Sequence, residues 1–379
     1  MFLDLSPGPS SSSSSSLRLP KPAHWRAQQP EKCSAPEEKI GFMKTHKTGS
    51  STVQNILLRW GLNAGLNFVL PSRGNHLGPP ELPHELTAAF SSAWYRNVAW
   101  AKYARHTGYN IFALHTKWSQ TEVEKVLGPG AKYVTILRDP VDNFESLYNY
   151  VHFSDTFHLS LEQFAHQFVA KKKPIPRINH YLGRNQQLWD LGLPASDIAN
   201  ESGVKQKIKE LAADFDLVMI AEQFDESLVL LGDLLCWPLA NMTSLKVNAR
   251  KSSAVEKLSQ KARDILREWL WADQMLYDFF REEFKRKIQS YGLDRMDVDI
   301  RQLRELNAEV KSQCVLEVVK NNTKKLLEDY VPWSKDVVAF KINEKLPYCK
   351  FYGISEIHFI DHVRDTQLDR ALKWEKQNL

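Results

Sequence analysis

Four short, continuous apolar runs separated by amphipathic stretches constrain this chain more than any other feature. Ile40-Gly41-Phe42-Met43 is the first. Tyr109 to Leu114 is the second, Tyr133-Val134-Thr135-Ile136-Leu137 the third and Leu217-Val218-Met219-Ile220 the fourth. Runs of this length without polar alternation suit strands buried on both faces. Between them, apolar residues recur at helical spacing. Val53, Ile56, Leu57 and Trp60 share one face, with Gly61 as the expected stop. Val141, Phe144, Leu147, Tyr148 and Val151 share another, started by Asp139 as cap and Pro140 at the first helical position. A helix is expected over 225–237 and a long amphipathic stretch over about 254–289. Alternation of this kind predicts an α/β fold with a central parallel sheet.

The first strand runs into Lys44-Thr45-His46-Lys47-Thr48-Gly49-Ser50-Ser51-Thr52 and then into a helix. A loop in that position is an anion site, because the first amides of a helix lack intrahelical partners and carry the positive end of its dipole. Gly49 permits close backbone approach, Ser50, Ser51 and Thr52 add hydroxyls, and Lys47 adds a charge. The bland alternative is a capped helix beside a solvated lysine. A nucleotide triphosphatase loop would read GxxxxGK[ST], and here the lysine precedes the glycine. A P-loop kinase is therefore disfavoured.

Arg138 ends the third strand, and Ser146 lies in the helix that follows. A guanidinium can fork onto a phosphate, and a hydroxyl from the next helix can complete the pocket. The alternative is a surface Arg138 paired with Asp139 or Glu145. Two anion sites at strand ends of one sheet suit a ligand with phosphates at both ends.

These two motifs, KTHKTGSST and ILRDPVDNFESLY, resemble the 5′-phosphosulfate loop and the 3′-phosphate motif of sulfotransferases that use 3′-phosphoadenosine 5′-phosphosulfate (PAPS). Further blocks narrow the resemblance. Leu70-Pro71, Asn75-His76-Leu77-Gly78, NQQLWDLG at 185–192, LVMIAEQFDESLVLLGDLLCW and LKVNAR are similar to the galactose 3-O-sulfotransferase family, which includes galactosylceramide sulfotransferase. The blocks run from about Gly41 to about Ile288.

The resemblance implies a P-loop-like three-layer sandwich of sulfotransferase type over 39–295, after a disordered Ser/Pro-rich segment over 1–38. Residues 296–379 are read as a C-terminal extension packed on the same domain. It implies that Lys47 meets the oxygen that bridges phosphate and sulfate, that Thr48, Gly49, Ser50, Ser51 and Thr52 cradle the phosphosulfate, and that Arg138 and Ser146 hold the 3′-phosphate. PAPS is then a co-substrate, no metal is required, and the acceptor is a galactose-bearing glycolipid or glycan. A non-catalytic relative that binds PAPS or glycan is the alternative.

A general base is needed for the acceptor hydroxyl. His115 follows the second strand at its carboxyl end and faces the same crevice, with His76 and His46 as rivals. His76 is placed to touch acceptor. Trp94, Trp100 and Trp118 lie between the motifs as candidate sugar platforms, although tryptophans in such positions are more often core. Trp118 and His76 are the expected substrate-binding residues.

Net charge of +5 is too mild to indicate nucleic acid. Four cysteines, Cys33, Cys236, Cys314 and Cys349, lack metal-ligand spacing and permit two bridges in any of three pairings. Sequons at Asn200, Asn241 and Asn321 lean towards the secretory pathway. No run reaches the roughly 18 apolar residues of a membrane helix, and the N-terminal stretch lacks a signal peptide's basic start and apolar core. The family's Golgi type II placement is thus expected, without an anchor in this sequence.

Overall fold

A computed structural model describes residues 33–77, 98–173, 175–178, 182–194, 196–245, 257–319, 330–331 and 337–378. The Ser/Pro-rich segment up to residue 32, Trp94 and Asn321 lie outside the described residues. Five strands form a parallel sheet: β1 (Ile40–Met43), β2 (Phe68–Val69), β3 (Ile111–Leu114), β4 (Lys132–Leu137) and β5 (Leu217–Ile220). Their order is β2-β3-β1-β4-β5. Met43 pairs with Leu114 on one side and Thr135 on the other, so the carboxyl ends of the three central strands are nearly level. β1, β3 and β5 are buried at every position, as their uninterrupted apolar sequence predicts.

Helices surround the sheet: α1 (Ser50–Ala64), α2 (Val98–Thr107), α3 (Gln120–Leu127), α4 (Pro140–Tyr150), α5 (Gln186–Asp190), α6 (Glu201–Asp214), α7 (Phe224–Leu235), α8 (Gln260–Trp269) and α9 (Trp271–Tyr291). Asp139 caps α4 as expected, accepting from the amides of Val141 and Asp142. Gly61 does not stop α1. The helix passes through it and ends at Gly65, whose φ is 71°. Gly61 is there for packing: a Cβ on it would lie 2.4 Å from the Phe68 ring and 2.6 Å from Ile111. The long amphipathic stretch is two helices, α8 and α9, broken at Leu270.

Past residue 292 the chain continues as α10 (Leu293–Cys314), an antiparallel pair β6 (Val315–Val319) and β7 (Ala339–Ile342), and α11 (Glu356–Asn378). Cys314 is bonded to Cys349 and Cys33 to Cys236, which selects one of the three pairings. Helix α11 packs on α1 and α2. It grips β2 and the segment after it. The Gln367 carboxamide bonds both the N–H and the C=O of Phe68. Arg370 donates to the carbonyls of Gly65 and Leu66, and Arg364 to that of Pro71.

Candidate active site

Connections leave β1 towards β2 and leave β4 towards β5, so the order of strands reverses between β1 and β4. The crevice outside the carboxyl ends at such a reversal is where open α/β sheets bind ligands. The 44–49 loop leaves β1 at this crevice, and Arg138 leaves β4 at it.

The loop is tightly held from beneath. Thr45 Oγ1 donates to the Ile136 carbonyl at 2.6 Å and meets Thr48 Oγ1 at 2.8 Å, while Ser50 Oγ donates to the Thr45 carbonyl at 2.7 Å. The hydroxyls of Thr48 and Ser50 therefore brace the loop, and any anion contact from these two residues falls to their amides. Gly49 takes φ 85° at the cap position and offers no side chain to cap α1, and the helix's own first turn holds no acidic residue. Left-handed backbone at Gly49 suits glycine, and the positive end of that first turn suits an anion. The Thr52 amide is spent on the Gly49 carbonyl at 3.0 Å. Lys47 also adopts a left-handed conformation, φ 61°, and its ammonium lies 4.2 Å from the Tyr150 ring centroid at the end of α4.

Arg138 meets the same loop, its Nη1 donating to the Lys47 carbonyl at 3.2 Å. Its backbone is clamped by the Gln187 carboxamide, which accepts from the Arg138 amide at 2.8 Å and donates to its carbonyl at 2.9 Å. Gln187 is fixed in turn, because Asp273 of α9 accepts from the amides of Gln187 and Leu188 at 3.0 and 2.9 Å. Burial pushes the Asp273 carboxyl up to about 7, against those two amide bonds; Asp190 adds to the rise and Arg177 opposes it. Ser146 is buried in α4, and no hydrogen bond joins it to Arg138 among the described residues.

Three imidazoles stack beside the loop. The rings of His46 and His115 are 4.2 Å apart at 21°, and those of His115 and His76 are 4.8 Å apart at 20°. His76 reaches this place because the chain after β2 extends β3: the His115 amide donates to the Asn75 carbonyl at 3.1 Å and the Leu77 amide to the His115 carbonyl at 2.9 Å. His46 is held by Asp190, whose carboxylate accepts from the His46 amide at 2.7 Å and lies 2.9 Å from Nδ1. His115 is buried, with Nε2 2.9 Å from the Lys44 ammonium and Nδ1 without a hydrogen-bond partner among the described residues. Desolvation, then the charges of Lys44, His46 and His76, hold its pKa well below the ordinary histidine value; a backbone bond with Lys44 opposes them. His76 has its outer edge in solvent. Desolvation of its inner face, with His46 and Lys44, still lowers it to about 4, against Asp190 and Glu356.

Ring nitrogens of these histidines lie within 4.8 Å of one another, a spacing a cation could span. The His46–His115 and His115–His76 planes are near-parallel, those of His46 and His76 are tilted by 37°, and the Lys44 ammonium lies at His115 Nε2. Trp118 is absent from the cluster. Its indole is 1% exposed, donates to Asp214 at 2.9 Å and stacks on Phe215 at 4.5 Å, which leaves no face for a sugar. Trp100 is likewise core, beside Tyr103 and Tyr109.

Lys44, Asp190 and Glu356 complete the site, and local sequence reading assigned a role to none of them. Glu356 pairs with Lys44 at 3.1 Å and accepts from Ser51 Oγ at 2.6 Å. For Lys44 the signal was its place in the loop itself. Asp190 lies within the NQQLWDLG block, and Glu356 had no local signal.

Comparison with known proteins agrees with this geometry. The family described as galactose-3-O-sulfotransferase matches residues 5–347. Galactosylceramide sulfotransferase of Bos taurus is 35% identical over 288 residues, 74% of this chain and 64% of that protein. The Homo sapiens protein of the same name is 33% identical over the same shares. Galactose-3-O-sulfotransferase 2 of Sus scrofa is 29% identical over 348 residues, 88% of this chain and 85% of that protein. The chain thus spans 64% of the length of the galactosylceramide sulfotransferases it matches. With a phosphate-type loop and an arginine meeting at the sheet's reversal, and a match over most of its length, the chain belongs to the galactose-3-O-sulfotransferase family.

Proposed function

We propose that this chain moves the sulfuryl group of PAPS to the 3-hydroxyl of a galactose residue on a glycolipid or glycan. The observation that carries the reading is the meeting of Arg138 with the Lys47 loop at the crevice between β1 and β4. One ligand bearing anionic groups at both ends can engage both. The first turn of α1, which has no acidic residue of its own, fits the phosphosulfate, and the guanidinium fits the 3′-phosphate with Ser146 as a further donor.

In this reading Lys47 lies nearest the oxygen that stays with the donor phosphate as its bond to sulfur breaks. Its charge stabilises the phosphate that leaves, while the acceptor oxygen bonds to sulfur and gives its proton to a base. His115 is the base because its depressed pKa keeps it neutral near pH 7. The acceptor hydroxyl must displace the Lys44 ammonium from Nε2 to use that lone pair. A second assignment is favoured by one observation: Asp190 orients His46 through Nδ1, as a carboxylate orients a base imidazole. Two disulfides suit an oxidising lumen, and Golgi placement with membrane association belongs to this proposal.

The test is transfer of labelled sulfate from PAPS to galactosylceramide, lactosylceramide and galactose-terminated N- and O-glycans, with linkage analysis of the product. Sulfate on the galactose 3-hydroxyl is expected. Binding of PAPS with no transfer to any galactoside would mark a non-catalytic relative, and sulfate on another hydroxyl would overturn the regiochemistry.

A further inference from the structure

Glu356 opens α11, 305 residues after the loop serine it touches, and beyond residue 347 where the family match ends. Its carboxylate gathers three groups from separate parts of the site. Ser51 Oγ donates to it from the phosphate loop, Asn75 Nδ2 donates to it from the segment that carries His76, and the Lys44 ammonium pairs with it. Lys44 is 3% exposed and also reaches His115 Nε2 at 2.9 Å and Ser51 Oγ at 3.2 Å.

A buried ammonium needs a counter-charge and full hydrogen bonding to stay in one place. Glu356 supplies the counter-charge, and with Ser51 and His115 it completes the hydrogen bonding. Burial alone would raise its pKa, but Lys44 and the hydrogen bonds from Ser51, Asn75 and Lys44 outweigh burial and keep it below the ordinary carboxylate value. The carboxylate is thus ionised at neutral pH, and it stands beside a loop built to receive an anion. Like charges repel, so this negative charge opposes donor binding. Its contribution lies elsewhere, in fixing where the Lys44 ammonium sits between Ser51 and His115.

We propose that Glu356 is a positioning residue for sulfuryl transfer: it holds Lys44 at Ser51, so that the ammonium stays beside the phosphate loop when the acceptor hydroxyl takes the His115 Nε2 lone pair. This rests on the sulfotransferase reading above. Helix α11 is then part of the reacting site rather than an appendage to it. Arg364 holds the same helix to the carbonyls of Pro71 and Gly74, just before Asn75, which keeps Glu356 at its post.

The test separates binding from turnover. Glu356→Gln keeps the side chain's volume and removes its charge. We expect kcat to fall roughly 10- to 100-fold, the scale of a misplaced reacting group, while the calorimetric Kd for 3′-phosphoadenosine 5′-phosphate is unchanged or smaller. Glu356→Asp, which keeps the charge, should recover part of kcat. A wild-type kcat in Glu356→Gln overturns the proposal. So does a larger Kd together with a lower kcat, since the residue would then serve the shape of the loop. A double-mutant comparison covers a poorly folding single variant. Glu356→Gln added to Lys44→Met should cost no further kcat, because the effect runs through Lys44; two independent losses would reject it. Failure of the functional reading itself would show in the wild-type chain, which would neither bind 3′-phosphoadenosine 5′-phosphate nor transfer sulfate.

Discussion

His115 sits between two other imidazoles and beside an ammonium, and each of these neighbours pushes its proton away. A base in such a place stays neutral on acidification. The acid limb of kcat/KM, which reports the free enzyme, should therefore fall well below pH 6.5. A limb at or above that value would remove His115 from the role. The same shift has a stability consequence. The folded pKa lies below the unfolded one, so the unfolded chain binds more protons in acid. Stability from this group is full above about pH 6.5 and is lost as pH falls through the folded value. His115→Ala should slow turnover by roughly 10²–10⁴ if it is the base, and a larger loss in His46→Ala would transfer the role there. Arg138→Ala should weaken binding of 3′-phosphoadenosine 5′-phosphate by about 2–5 kcal/mol, the scale for truncating one partner of a buried charge pair. Unchanged calorimetric affinity would reject Arg138 as the 3′-phosphate ligand. That the loop and Arg138 lie at strand ends was legible in the sequence because each is part of a contiguous motif that follows an apolar run. The partners of His46 and Lys44 were not. Asp190 lies 144 residues from His46, and His115 lies 71 from Lys44. Pairs that distant leave no periodic or local trace.

Elements were legible where one rule decided them. Buried strands read as unbroken apolar runs, and α4 as a capped proline start. Gly61 misled because two roles of glycine compete. Helix ends favour it, and so does close approach to a neighbouring chain, and only the Phe68 and Ile111 contacts show which applies. The chain after residue 295 was opaque for another reason: α11 has mixed charge on its surface, and its apolar stripe of Phe359, Ile360, Val363 and Ala371 is short of the length of the helix. The Cys314–Cys349 bridge ties the end of α10 to the turn that precedes α11. Replacing both cysteines with serine should lower unfolding stability by roughly 2–4 kcal/mol. Because Glu356 follows closely, the loss of kcat should exceed what the unfolded fraction explains. Denaturant melts alongside kinetics measure both, and an unaltered midpoint would show that the bridge does not hold this end of the fold.

At the scale of the molecule, strand order rather than any single residue makes the site. With β1 at the centre, β3 brings His115 to one side of the loop and β4 brings Arg138 to the other. That order is set by long-range pairing, and the sequence pattern alone implied only that a parallel sheet exists. Glycan attachment can be argued at the same scale. Asn200 is exposed at the start of α6, whereas Asn241 is half-buried and its sequon partner Thr243 is fully buried against Tyr352. Expressed through a eukaryotic secretory pathway, the chain should carry an N-glycan on Asn200. Endoglycosidase treatment should then shift its mass, and Asn200→Gln should abolish the part of that shift due to this site. An identical shift in the variant would show that Asn200 is not used.

Gln367 gives the last helix a second importance. β2 is an outermost strand of the sheet, and its Phe68 N–H and C=O would otherwise face outward as a template for another strand. The glutamine carboxamide satisfies both, as a neighbouring strand would. A chain that lost its final two dozen residues to proteolysis or a premature stop would lose more than Glu356. It would uncover a short adhesive edge, and such molecules would tend to pair with one another and precipitate, so that a defect in catalysis would first be seen as a defect in solubility.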